Sequence, residues 1–138
     1  MKLPSISELT VGQVIGEKHF EITRDSLVRY AGASGDFNPI HYRDDIAQQV
    51  GLPGVLAHGM LTMGVSISPV VEWLGDPGKV VDYSVRFTKP VLVPATGSAS
   101  LTVSAVVGAI EDDRVRIDIT TSFEGNNVLG KAQAWVKP

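Results

Sequence analysis

Residues 58–74 read HGMLTMGVSISPVVEWL, and the fold follows from what this stretch must do. Met60, Leu61, Met63, Val65, Ile67, Val70, Val71 and Leu74 leave no broad polar face at helical spacing. A helix that is apolar on nearly all sides has to be surrounded. Pro69 lacks an amide proton, so it kinks such a helix or begins a second segment. The stretch also contains His58, Thr62, Ser66, Ser68 and Glu72, which makes it too polar for a membrane span.

The material to surround it lies downstream. Val81, Tyr83, Val85 and Phe87 alternate with Asp82, Ser84 and Arg86. Leu101, Val103, Ala105 and Val107 repeat the pattern, as do Val115, Ile117, Ile119 and Thr121. A last strand over 128–136 carries Val128, Gly130, Ala132, Ala134 and Val136 on one face, small enough for a helix to approach. Asp112-Asp113 and Gly125-Asn126-Asn127 are turn formers between neighbours, so the strands form an antiparallel meander. The fold class expected is α+β, with a curved antiparallel sheet wrapped around one long apolar helix.

Upstream, Phe20 and Ile22 suggest a short strand, and Thr23 is placed to cap a helix with Asp25 in its first turn. Gly32 and Gly35 are expected to break that helix. A short helix begins at Asp44 or Asp45 and stops at Gly51, with Pro53 just beyond. No repeat or linker divides residues 1–138, which read as one domain.

Composition removes several function classes. The chain has no cysteine, which excludes a disulfide scaffold, a thiolate nucleophile and a Cys-ligated metal. The net charge of −3 and the lack of any basic run argue against nucleic acid. The N-terminal residues lack the apolar core of a signal peptide, so a cytoplasmic location is expected. No histidine–carboxylate cluster shows metal-ligand spacing, and no phosphate loop or Gly-x-Ser-x-Gly stands out.

The segment with chemistry is Tyr30-Ala-Gly-Ala-Ser-Gly-Asp36-Phe-Asn38-Pro39-Ile40-His41. Pro39 forbids a continuing helix and pushes Asn38 toward extended backbone. Asp36 and His41 therefore share an irregular loop. A carboxylate beside an imidazole fixes its tautomer and favours its protonated form, which suits acid–base work near neutral pH. The same residues are also good turn formers, and composition alone does not separate the two readings. The second feature is Ala57-His58-Gly59-Met60, at the start of the buried helix. The first amides of a helix have no internal partners, and Gly59 has no side chain to block a ligand oxygen. Gly59 would equally permit close packing. His19 reads as a surface residue, and Glu72 as exposed near the far end of the helix.

These two motifs, with Trp73-Leu-Gly-Asp-Pro-Gly78 and Tyr83-Ser-Val-Arg-Phe87, resemble MaoC-like dehydratases and (R)-specific enoyl-CoA hydratases. The likeness runs the whole chain and looks closest to the (3R)-hydroxyacyl-ACP dehydratases of fatty-acid elongation. It implies a single hotdog fold, working as a homodimer or as a heterodimer with a second hotdog subunit. It implies Asp36 and His41 as the catalytic dyad and the Gly59 amide as the oxyanion donor. Asn38, His58 and Met60 then belong to the substrate-binding surroundings, and Ser66 or Ser68 is a candidate support for the carboxylate. The substrate implied is an enoyl- or 3-hydroxyacyl-CoA or acyl-ACP. No cofactor is implied beyond the phosphopantetheine of that carrier. Arg86, Lys89 and Lys79 are candidates for a basic rim facing an acidic carrier protein. A hotdog thioesterase would need an acid on the central helix, where only Glu72 stands. A non-catalytic acyl-binding subunit would typically lack the Asp/His pair.

Overall fold

The computed structural model describes residues 3–138. Met1 and Lys2, which open the segment read for a leader, lie outside the described residues. Strand β1 (Val14–Ile22) leads into α1 (Arg24–Ser34). A 3₁₀ turn (Pro39–His41) and α2 (Asp44–Gln49) follow, then α3 (Gly59–Ser66) and α4 (Ser68–Leu74). Two further 3₁₀ turns (Ile6–Glu8 and Pro77–Lys79) precede β1 and β2, and the remaining strands are β2 (Val80–Phe87), β3 (Ala99–Ile110), β4 (Val115–Phe123), β5 (Asn126–Asn127) and β6 (Leu129–Val136).

The strands lie in the order β1-β3-β4-β6-β2, all antiparallel, with β5 a short addition to β4. The sheet curves around α3 and α4. Its concave face supplies Leu101, Val103, Ala105, Val115, Ile117, Ala134 and Val136, all fully buried against Val70 and Leu74. The alternation read from the sequence is the alternation of this face.

The central helix is divided into two segments, the second of the two outcomes expected from Pro69. It breaks at Ile67, immediately before Ser68-Pro69, because Pro69 sits in the first turn of α4 and has no amide for a continuing ladder. Its surroundings are also incomplete. Thr62, Ser66, Pro69, Val70 and Leu74 are buried, whereas Met60 is 58% exposed. Ser66 Oγ bonds Thr62 O and Thr121 Oγ1, both at 2.6 Å, so α3 is fastened to β4 through hydroxyls rather than hydrocarbon.

Three local expectations change. The first strand spans 14–22, longer than Phe20 and Ile22 suggested. Gly16 interrupts its alternation, and a Cβ there would stand 3.1 Å from Pro69 Cβ, so the gap admits α4. Gly32 stays within α1, and only Gly35 ends it, in the left-handed conformation (φ 78°). In β6, Lys131 takes φ 45° and the pairing with β2 slips there. Leu129 is consequently buried, and Gly130 leaves the inward face on which it was placed.

Candidate active site

The loop that carries Asp36 and His41 is built by local rules. Thr23 caps α1 in a reciprocal box with Ser26, and Gly35 turns the chain out of the helix. Asp36 Oδ1 then accepts the Asn38 amide at 3.1 Å, and Asn38 Oδ1 accepts the Ile40 amide at 3.2 Å. Two successive side-chain turns thus carry the chain into the 3₁₀ turn that ends at His41. Asn38 thus shapes the loop, both as the donor to Asp36 and as the acceptor of the Ile40 amide. His41 is buried, while the Asp36 side chain is 50% exposed.

Asp36 Oδ2 and His41 Nε2 stand 3.9 Å apart. That is too long for a direct hydrogen bond and leaves both atoms available to a third group. His41 Nδ1 lies 2.7 Å from Leu56 O. A carbonyl only accepts, so Nδ1 carries a proton and Nε2 is the ring atom left to exchange one on the side of Asp36.

A cleft of about 310 Å³ opens beside His41. His41, Leu56, Ala57, Gly59 and Thr62 line one side; Phe87, Thr88, Lys89 and Pro90 line another. Gly59 is the first residue of α3, where amides have no partner within the helix. A Cβ on Gly59 would stand 3.0 Å from the Phe87 ring, so a side chain there would crowd the cleft between the two residues.

His58 is placed differently from the expectation of a substrate contact. It is 1% exposed, lies outside the cleft lining, and stacks on His41 with centroids 3.9 Å apart. Burial is the main cause that pushes its pKa below the ordinary value, so the ring is neutral. Met60 is exposed and does not line the cleft. Ser66 bonds Thr62 and Thr121, so it does not support Asp36. His19 lies on the surface, with Nδ1 3.1 Å from Thr102 Oγ1. Glu72 is exposed and paired with Lys18. Lys79 precedes β2 and Lys89 follows it. About 25 Å of strand separates them, so they do not share one rim.

Donor atoms of Asp36, His41 and His58 lie within 4.8 Å of one another, a clustering that linear spacing did not reveal. The two imidazoles are stacked with planes 20° apart. Ring lone pairs lie in the ring plane, so two stacked rings do not converge on one ion. The cluster suits proton handling. Sequence reading missed Tyr30 as a partner of His58 and the Leu56 carbonyl as the anchor of His41. A backbone carbonyl leaves no residue-type signal.

A curved sheet rolled around a broken central helix, with an acid–imidazole pair at the helix start, defines a hotdog-fold protein. The MaoC-like domain family matches residues 7–124, and the chain belongs to it. It is 45% identical over 75 residues to 3-hydroxyacyl-thioester dehydratase X of Mycobacterium tuberculosis, covering 54% of this chain and 26% of that protein. It is 34% identical over 87 residues to an (R)-specific enoyl-CoA hydratase of Rhodospirillum rubrum, covering 62% and 60% of the two chains. A solved MaoC-like dehydratase superposes with a TM-score of 0.93 at 36% identity, covering 98% of this chain and 42% of the other. The chain therefore spans less than two thirds of each of these relatives' lengths.

Proposed function

We propose that residues 1–138 form one catalytic domain that reversibly hydrates a trans-2-enoyl thioester to the (3R)-3-hydroxyacyl thioester. The observation that carries this reading is the 3.9 Å gap between Asp36 Oδ2 and His41 Nε2, with His41 lining the same cleft as Gly59, the first residue of α3. In the dehydration direction, the C2–H and C3–O bonds break, C2=C3 forms, and water leaves. The pair takes the C2 proton and supplies one to the departing hydroxyl. Hydroxide is a poor leaving group, so this protonation is needed. Negative charge that gathers on the thioester oxygen meets the Gly59 amide, where a well-placed donor is worth about 3–4 kcal/mol in other enzymes. The steps balance without an oxidant, a reductant or a cofactor beyond the substrate's own phosphopantetheine arm.

The names of the relatives support this reaction class. They include thioester dehydratases and enoyl-CoA hydratases. CoA and acyl carrier protein are both carriers that fit, and the acyl-carrier step of fatty-acid elongation is the physiological reading we favour. Glu72, paired with Lys18 away from the cleft, gives a thioesterase no acid at the site. No helix among the described residues is long and apolar enough to cross a membrane.

We further read the working unit as two hotdogs, identical or different. Among the described residues β2 ends the sheet with an unpaired edge, and this strand carries exposed Val81 and Phe87. The test is a hydration assay over enoyl-CoA and enoyl-ACP substrates of increasing length, with the product's configuration determined. A (3R) product supports the proposal. Release of free thiol without a hydroxyacyl product, or a (3S) product, refutes it. The mass of the purified chain, alone and with candidate hotdog partners, tests the assembly.

A further inference from the structure

His58 is the least economical residue in the molecule if packing is its whole purpose. It is 1% exposed, and its Nδ1 is the one buried side-chain nitrogen or oxygen without a hydrogen-bond partner among the described residues. Burying an unpaired polar atom costs on the order of 1–3 kcal/mol. A phenylalanine would fill the same space without that cost. The other ring nitrogen explains the choice. Nε2 lies 3.2 Å from Asp36 O and must be the donor, since a carbonyl only accepts. Asp36 follows the left-handed Gly35, outside α1, so its carbonyl has left the helical ladder.

The faces of the ring are used as well. One neighbour is Tyr30, 4.8 Å away and tilted by 60°; another is His41, 3.9 Å away and nearly parallel. Tyr30 lies on α1, His41 on the 3₁₀ turn, and His58 immediately before α3. One ring therefore joins three elements. The bond from His41 Nδ1 to Leu56 O limits rotation of the His41 ring within its plane. Stacking on His58 limits tilt out of that plane. Together they aim Nε2 at Asp36.

We propose that His58 is a positioning residue that holds both members of the dyad. Its Nε2–H fixes the Asp36 backbone, and its face fixes the plane of the His41 ring. The kinetic part of this inference rests on the hydratase reading; the structural part does not. Burial keeps the ring neutral, with the neighbouring His41 acting in the same direction against the bond to Asp36. No fixed charge therefore lies beneath His41 when it receives a proton.

The test compares three variants. His58→Phe keeps an aromatic face and removes the donor. His58→Gln places an amide nitrogen close to the position of Nε2. His58→Asn has a donor too short to reach it. Amide hydrogen exchange is followed at Asn38, Ile40 and His41, whose protons are held by the Asp36–Asn38 turns. Rates are measured on crotonyl-CoA in parallel.

His58→Phe is expected to speed exchange at these amides at least tenfold. It should lower kcat about ten- to a hundredfold with KM within twofold; Gln, which restores the donor but not the ring, should recover most of the exchange protection and part of the rate. If His58→Phe unfolds, exchange in Gln against Asn decides, with Gln protected and Asn not. Exchange in His58→Phe within twofold of wild type, or Gln no better than Phe or Asn, overturns the proposal. If the wild-type chain hydrates no enoyl thioester, the functional reading fails, and amide exchange alone still decides the positioning one.

Discussion

Replacing Asp36 by Asn separates chemistry from folding at this site. Asp36 Oδ1 accepts the Asn38 amide, and an Asn side chain can retain that bond through its own Oδ1. The atom that changes is Oδ2, the one facing His41 Nε2 across 3.9 Å. There an acceptor of protons becomes an NH₂ donor that cannot take one. The loss expected is that of a general acid–base group, about 10²–10⁴ in rate. At 1.36 kcal/mol per factor of ten, this is roughly 3–5 kcal/mol of barrier.

Stability should barely respond. Half of the Asp36 side chain is exposed, and pairs of this kind are worth about 0–1 kcal/mol. For a chain of 138 residues, 1 kcal/mol corresponds to a Tm change of about 3 °C. The assay is the initial rate of crotonyl-CoA hydration followed at the enoyl absorbance, with a thermal melt of the same sample. A kcat within threefold of wild type would sink the assignment of Asp36. A Tm loss above about 10 °C would instead show that Asp36 holds the fold, and the rate argument would fall with it.

Gly59→Ala should lower kcat/KM about tenfold or more, because the new methyl stands 3.0 Å from the Phe87 ring and crowds the cleft. Phe87 is exposed and can swing away, so Tm should hold; an unchanged kcat/KM refutes the oxyanion role. Ser66→Ala leaves Thr121 Oγ1 buried without its partner and should cost about 1–3 kcal/mol in denaturant unfolding. Adding Thr121→Val should recover much of that loss, and strictly additive losses in the double mutant would contradict the pairing. The Asp44 carboxyl is held below its ordinary value of 3.8, first by the Arg24 hydrogen bond and then by the Val55 amide. A depressed folded-state pKa stabilises above the unfolded value and is lost as pH falls through the folded one. The Tm gap between wild type and Asp44→Asn should therefore be constant above about pH 5 and shrink below about pH 4; a gap that widens in acid contradicts this.

Much of the molecule is legible in the order of its residues because the rules involved are local. Alternation at 101–107 and 115–121 gives strands whose inward face is the observed core. Thr23 and Gly35 bound α1 by capping chemistry, and Pro69 divides the central helix where its missing amide requires. The Asp36–Asn38–His41 loop is likewise local, since each side chain turns back on a backbone amide two residues away. The sequence thereby determined that an acid and an imidazole share a loop near a buried helix start.

Only the tertiary structure decided how they are held. His41 and His58 are separated by a helix and a loop, and their stacking depends on where α3 enters the sheet. The tautomer of His41 depends on the Leu56 carbonyl, a group every residue carries and no pattern marks. The slip at Lys131 that buries Leu129 in place of Gly130 is set by pairing with β2, about fifty residues earlier. Local chemistry selects the residue types. The distances between them come from packing one curved sheet onto one broken helix, and a linear pattern does not encode that geometry.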